Sequence, residues 1–211
     1  SLPDALRLVK SRGRFMQEAV PAGQGAMAAI LGLDSQAVEG IAAAATATDE
    51  VCAVANFNAP AQTVVSGAAP AVERAVALAS EQGARRAVLL PVSAPFHSPL
   101  MRPARERLEP LLEATDFASP GIPVIANVDA APVTEGEEAR DRLVRQVDSP
   151  VRWVDSVRAM VASYGIGWFI EMGPGNVLSG LARRIESHTS QMSLADPGKF
   201  DKLLAAQEEV E

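Results

Sequence analysis

Residues 51–68 read VCAVANFNAPAQTVVSGA. Two runs rich in small and β-branched residues, "VCAVANFN" (51–58) and "QTVVSGA" (62–68), flank Ala59-Pro60, where the proline interrupts the extended pattern and turns it back. Two adjacent strands here decide the fold, because strand and helix patterns lie on both sides of them. Upstream, "GAMAAILGL" (25–33) reads as a short apolar strand. After it, Asp34 or Ser35 caps a helix whose Val38, Ile41, Ala42 and Ala45 share one face. Downstream, Pro70 suits the first turn of a second helix that Gly83 ends, and "RRAVLLPVS" (85–93) is a fourth strand. The resulting order, βαββαβ over residues 21–93, is the split βαβ, or ferredoxin-like, arrangement.

The flanking sequence has a different rhythm. Residues 1–20 are helical: Leu2, Ala5, Leu6, Val9, Gly13 and Met16 share one side, and Arg7, Lys10 and Arg14 point away from it. Arg12 sits at the edge of the apolar face, which suits either a solvated helix or a guanidinium aimed into a cleft. After residue 93 come a helix with Leu100, Ala104, Leu108 and Leu111, kinked at Pro110, and "IPVIANVDA" (122–130) as a strand buried on both faces. The helix "EEARDRLVRQV" (137–147), a helix carrying Val151, Val154, Val157 and Val161, the buried strand "GWFIEM" (167–172) and the helix "NVLSGLARRI" (176–185) follow. Residues 186–211 are polar and less patterned, with a frayed helix at the end. The fold class is therefore α/β: residues 1–20 and 94–211 form one large, incomplete parallel-sheet subdomain into which residues 21–93 are inserted.

Composition narrows the class of function. The 211 residues are 48% hydrophobic and 21% charged, with a net charge of -7, which fits a soluble globular protein and disfavours nucleic acid as a partner. The lone Cys52 permits no internal disulfide, no run approaches a membrane span, and a cytoplasmic setting is expected. Ser1 opens directly into helical sequence, as a fragment or a processed chain would.

Only two histidines occur, and one lies in "LLPVSAPFHSPLM" (89–101). His97 follows a strand end, where α/β folds place ligands, and precedes a Ser-Pro that starts a helical turn. The positive end of that turn disfavours imidazolium, leaving a neutral ring able to accept a proton. The alternative is a buried histidine filling a gap. A nucleophile for it is not evident. The strand-to-helix elbow G-x-S-x-G is absent, Ser66 and Ser179 lack its first glycine, and Cys52 reads as core. His188 reads as surface, and no metal-ligand spacing exists. "GPG" (173–175) suits an anion cradle or a plain tight turn. Gln146, by pattern alone, is an exposed glutamine; its other reading is a helix-end residue that orients the histidine.

Several stretches together resemble one family, the bacterial malonyl-CoA:acyl-carrier-protein transacylases. They are "RGRFMQEAVPAGQGAMAAILGL" (12–33), "NFNAPAQTVVSG" (56–67), "LPVSAPFHSPLM" (90–101), "IPVIANVDA" (122–130), "RDRLVRQVDSPVRW" (140–153) and "EMGPGNVLSGL" (171–181). The resemblance implies a partial α/β-hydrolase-like large subdomain with the ferredoxin-like one inserted. It implies His97 as general base, Arg12 as the grip on the malonyl carboxylate, and Phe96 as the malonyl-selecting residue. Gln146 would orient the histidine through its main-chain carbonyl. It also implies that the family's "GHSLG" serine lies in a missing N-terminal segment, so that this chain alone is inactive. Malonyl-CoA is then the substrate and acyl carrier protein the partner, which carries its own phosphopantetheine; no cofactor is called for. A non-catalytic remnant that binds carrier protein through Arg7, Lys10 and Arg14 or through Arg183 and Arg184 is the alternative. A polyketide-synthase acyltransferase domain is a third, disfavoured by the compact ending.

Overall fold

The computed structural model describes residues 1–196 and 198, so the helix expected at the end of the chain lies outside the described residues. The fold is mixed α/β and divides into two compact units, residues 1–156 and residues 157–211.

The first unit opens with α1 (Leu2–Glu18), capped by the Ser1 hydroxyl, which accepts from the Asp4 amide. Its expected inward face is only partly buried. Phe15 and Met16 are core, whereas Leu2, Leu6 and Val9 are exposed. The reason is local: only the C-terminal half packs, in a cluster with Ala94, Met101, Ala104, Leu108 and Leu112.

A four-stranded sheet follows, made of β1 (Gly25–Leu31), β2 (Cys52–Ala59), β3 (Gln62–Ala68) and β4 (Arg86–Leu89), with α2 (Ser35–Ala45) and α3 (Ala69–Glu81) between them. The strands run in the order β2-β3-β1-β4, antiparallel throughout, with Gly25 opposite Ala68 and Leu31 opposite Gln62. Asp34 caps α2, its carboxylate accepting the Ala37 amide at 2.8 Å. Alternation along β1 and β3 explains the layering. Ala28, Ile30 and Val65 face the helices with Val38, Ile41, Ala71, Val72 and Ala75. Met27 and Val64 face the other way and, with Ala55, pack against Phe96. The second face of the sheet therefore rests on the residue beside His97.

A 3-10 turn (Pro99–Met101) leads into α4 (Arg102–Glu113), which carries Pro110 inside it. The long strand expected over 122–130 is not formed. Only β5 (Val124–Ile125) and β6 (Pro132–Val133) pair, antiparallel, and Ile122 and Val124 are 77% and 52% exposed. An apolar run becomes a doubly covered strand only when neighbours flank it on both sides, and this one has a two-residue partner. α5 (Gly136–Gln146) follows and brings its last residue to the site.

In the second unit, α6 (Trp153–Tyr164), which begins before residue 157, leads to β7 (Trp168–Glu171), α7 (Val177–Ile185) and β8 (Ser190–Ser193). β7 and β8 pair in parallel, so the stretch after residue 185 contains a strand that its polarity concealed. The fully buried strand expected over 167–172 is not formed: Ile170 of β7 is 40% exposed, and Met172, past its end, is 74% exposed.

Candidate active site

His97 lies in the segment between β4 and the 3-10 turn. Below it Phe96 bridges two apolar clusters, and Pro95 and Ala94 are fully buried. β1 starts against this segment: a side chain at Gly25 would run into the Pro95 ring, with Pro95 Cβ only 2.9 Å from the added carbon. Ser98 closes the turn, its hydroxyl donating to the Pro95 carbonyl at 2.7 Å. His97 itself has φ +57°, the left-handed region that a side chain adopts only when its surroundings impose it.

The imidazole Nδ1 lies 3.2 Å from the main-chain oxygen of Gln146. Because that oxygen can only accept, Nδ1 carries the proton and Nε2 is left with a lone pair. Gln146 ends α5, where the last carbonyls have no partner within the helix, and the histidine uses one of them. Burial, then the nearby Arg12 charge, push the His97 pKa below its usual value, against the opposing pull of the Gln146 and Ser149 backbone. A neutral imidazole with a free Nε2 is the form that accepts a proton.

Arg12 reaches this place from α1. It is half-buried, and its pKa is lowered by burial. Among the described residues it has neither an ion pair nor a hydrogen bond. A half-buried guanidinium with no anion beside it is free to grip a carboxylate with two parallel N–H donors. Arg12, Phe96, His97 and Gln146 are thus brought into one region. A cleft of about 320 Å³ lies beyond Gln146, lined by Pro120, Val124, Ile125, Val133, Arg142 and Leu143; of the four residues only Gln146 lines it.

The other candidates fall outside. Cys52 is buried in β2, and burial lifts its thiol pKa to about 11. Ser66 is fully buried in β3. Ser179 lies in α7, where Glu171 accepts the Leu178 and Ser179 amides of the first helical turn at 3.1 and 2.8 Å. His188 is exposed beside Glu186 at 3.4 Å. No cluster of three or more metal-binding side chains occurs among the described residues, and no described helix is long and apolar enough to cross a membrane. Sequence reading missed the Arg105–Asp148 pair and the ties between β2 and residue 151, since neither leaves a local pattern.

Against known proteins, the acyl transferase domain matches residues 1–198, and the chain belongs to that family. Within it the relatives are bacterial malonyl CoA-acyl carrier protein transacylases. The one from Bacillus subtilis is 46% identical over 197 residues, 93% of this chain and 62% of its own length. A crystal structure of an acyl carrier protein S-malonyltransferase from Vibrio cholerae superposes with a TM-score of 0.91 at 46% identity, covering 94% of this chain and 64% of that one. A malonyl-transacylase solved in complex with a type II PKS acyl-carrier protein gives 0.87 at 42% identity, covering 91% and 62%. The chain thus spans less than two thirds of the length of each of these relatives.

Proposed function

We infer that this chain supplies the base and the carboxylate grip for transfer of a malonyl group from malonyl-CoA to the phosphopantetheine thiol of acyl carrier protein, as in fatty acid synthesis. The observation that carries this reading is the pairing of His97, its Nδ1 engaged by Gln146 and its Nε2 lone pair available, with Arg12, which has no ion pair among the described residues, nearby. A base and a carboxylate site together suit a substrate whose acyl chain ends in a free acid. On this reading residues 21–93 are the ferredoxin-like insert, and residues 1–20 and 94–211 belong to a hydrolase-like large subdomain. The nucleophilic serine comes from a segment outside these residues.

The chemistry is two displacements. The serine hydroxyl gives its proton to His97 Nε2 as its oxygen attacks the malonyl thioester; the C–S bond breaks, and the imidazolium returns the proton to the departing CoA thiolate. The carrier-protein thiol then gives its proton to His97 as its sulfur attacks the malonyl-serine; the ester C–O bond breaks, and the imidazolium returns the proton to the serine oxygen. Arg12 holds the distal carboxylate throughout, and Phe96 narrows the space for the acyl carbon between the two carbonyls. No cofactor is required, and the setting is cytoplasmic. That one relative was solved bound to an acyl-carrier protein supports this partner.

Incubation with labelled malonyl-CoA tests the reading by intact mass. The chain alone should stay unlabelled, and transfer to holo carrier protein should appear when a serine-bearing N-terminal segment is added. Stable acylation of the chain alone contradicts the placement of the nucleophile. Carrier-protein binding without any restored transfer favours the non-catalytic remnant instead.

A further inference from the structure

The acceptor that orients His97 sits on a turn tied from three directions. Gln146 is the last residue of α5, so nothing inside the helix fixes its carbonyl; the path of residues 147–151 does. The Gln146 side chain turns back on that path, its Nε2 donating to the carbonyls of Ser149 at 3.0 Å and Pro150 at 3.3 Å. Asp148, 9% exposed, receives Arg105 of α4 at 3.4 Å. At the far end, Val151 joins the outer edge of β2: its amide donates to the Ala55 carbonyl at 2.8 Å, and its carbonyl accepts the Phe57 amide at 2.9 Å. β2 is one of the two edge strands of the four-stranded sheet, and its register shifts between Val54 and Asn56, where Ala55 is the extra residue. A bulged edge strand has spare donors and acceptors, and here they are spent on the turn. Arg152 lies over the Phe57 ring at 5.8 Å, a second tie between the same two segments.

We propose that the 146–151 turn is a positioning device for His97, in which the Gln146 side-chain amide and the edge of the four-stranded sheet hold the Gln146 carbonyl on Nδ1. It rests on the reading of His97 as base, and gives Gln146 two separate roles: the main chain orients the ring, and the side chain orients the main chain. Gln146→Ala keeps the first and removes the second. The charge that acts on the histidine is Arg12 from α1, and the turn itself carries the Arg105–Asp148 pair; neither is altered by this change.

The test is nitrogen-detected NMR of the 211-residue chain near neutral pH, with exposed His188 as internal reference. Wild type should hold its Nδ1–H form. Gln146→Ala and Val151→Pro, which removes the amide donated to Ala55, should each mix the two tautomers at His97 and leave His188 unmoved. In the enzyme completed with its serine segment, Gln146→Ala should lower kcat about tenfold or more with KM for malonyl-CoA unchanged. An unchanged Nδ1–H signal in folded Gln146→Ala overturns the proposal, and an unchanged signal in Val151→Pro overturns the sheet's part in it. If Val151→Pro fails to fold, Phe57→Ala, which removes the ring under Arg152, interrogates the same tie. Full transfer by His97→Ala would defeat the base assignment instead, and the tautomer measurement stands apart from that outcome.

Discussion

Replacing Arg12 by methionine should make the folded chain more stable and abolish its response to a carboxylate. Methionine keeps most of the aliphatic stem, so the packing of α1 against the core is retained, and only the charged head is lost. That head is half-buried and meets no anion among the described residues. An uncompensated buried charge costs several kcal/mol; partial exposure of this one reduces the gain from removing it to about 1 kcal/mol. For a chain of this size, that corresponds to a rise of roughly 2–4 °C in Tm. Malonate supplies the complementary arm. At about 100 times its Kd it should stabilise wild type by roughly 2.7 kcal/mol and leave Arg12→Met unmoved. Arg12→Lys keeps the charge and loses the two-pronged geometry, so its response should be intermediate. Thermal unfolding with and without malonate, against acetate as control, reads all of this. A destabilised Arg12→Met, or one that still responds to malonate, refutes the claim that this arginine is held ready for a carboxylate.

Three further outcomes follow from the same geometry. The His97 pKa is depressed in the fold relative to about 6.5 when unfolded, so the unfolded chain binds more protons as pH falls. Its contribution to stability is thus full above about pH 6.5 and lost as pH drops through the lower folded value; urea unfolding from pH 5 to 7.5 should show a shallower slope in His97→Gln, and equal slopes would reject the buried neutral ring. Gly25→Ala drives a methyl into Pro95 two residues before His97 and should cost about 1–3 kcal/mol while shifting the His97 resonances; a silent substitution would show that the loop is not braced by β1. Glu171→Gln weakens the cap on α7 and should cost roughly 0.5 kcal/mol at neutral pH; the lowered folded pKa means this difference is lost as pH falls through that value, and urea unfolding against pH that shows no such loss would reject the charged cap.

How much the sequence announced depended on where the stabilising contacts lie. The hairpin of β2 and β3, the Asp34 cap and the buried face of α2 were legible because each is set by residues within a few positions of one another. The strand at 122–130 was not, since its apolar run looks alike whether covered or exposed, and only the partner strands decide. β8 was hidden by its polarity, and its place beside β7 comes from a parallel crossover that no local signal marks. Arg12 was visible as an arginine on the edge of a helical wheel's apolar face, but its lack of an anion among the described residues is a three-dimensional fact. Gln146 shows the limit most sharply. Its contact with His97 runs through a main-chain oxygen, which every residue type possesses, so pattern favoured an exposed glutamine and the resemblance to a family was needed to favour the orienting role.

The most direct measurement joins this chain to the part its relatives possess and it does not span. The N-terminal third of a relative such as the Escherichia coli malonyl CoA-acyl carrier protein transacylase can be fused ahead of Ser1 and malonyl transfer to holo carrier protein followed in single turnovers. The fusion should transfer malonyl far faster than acetyl, His97→Ala should lose transfer by about a thousandfold, and Arg12→Ala should lose the preference for malonyl while still forming an acyl-serine. Wild-type transfer rates in the His97→Ala fusion, or undiminished malonyl preference in Arg12→Ala, would contradict the assignment of base and carboxylate grip to these two residues.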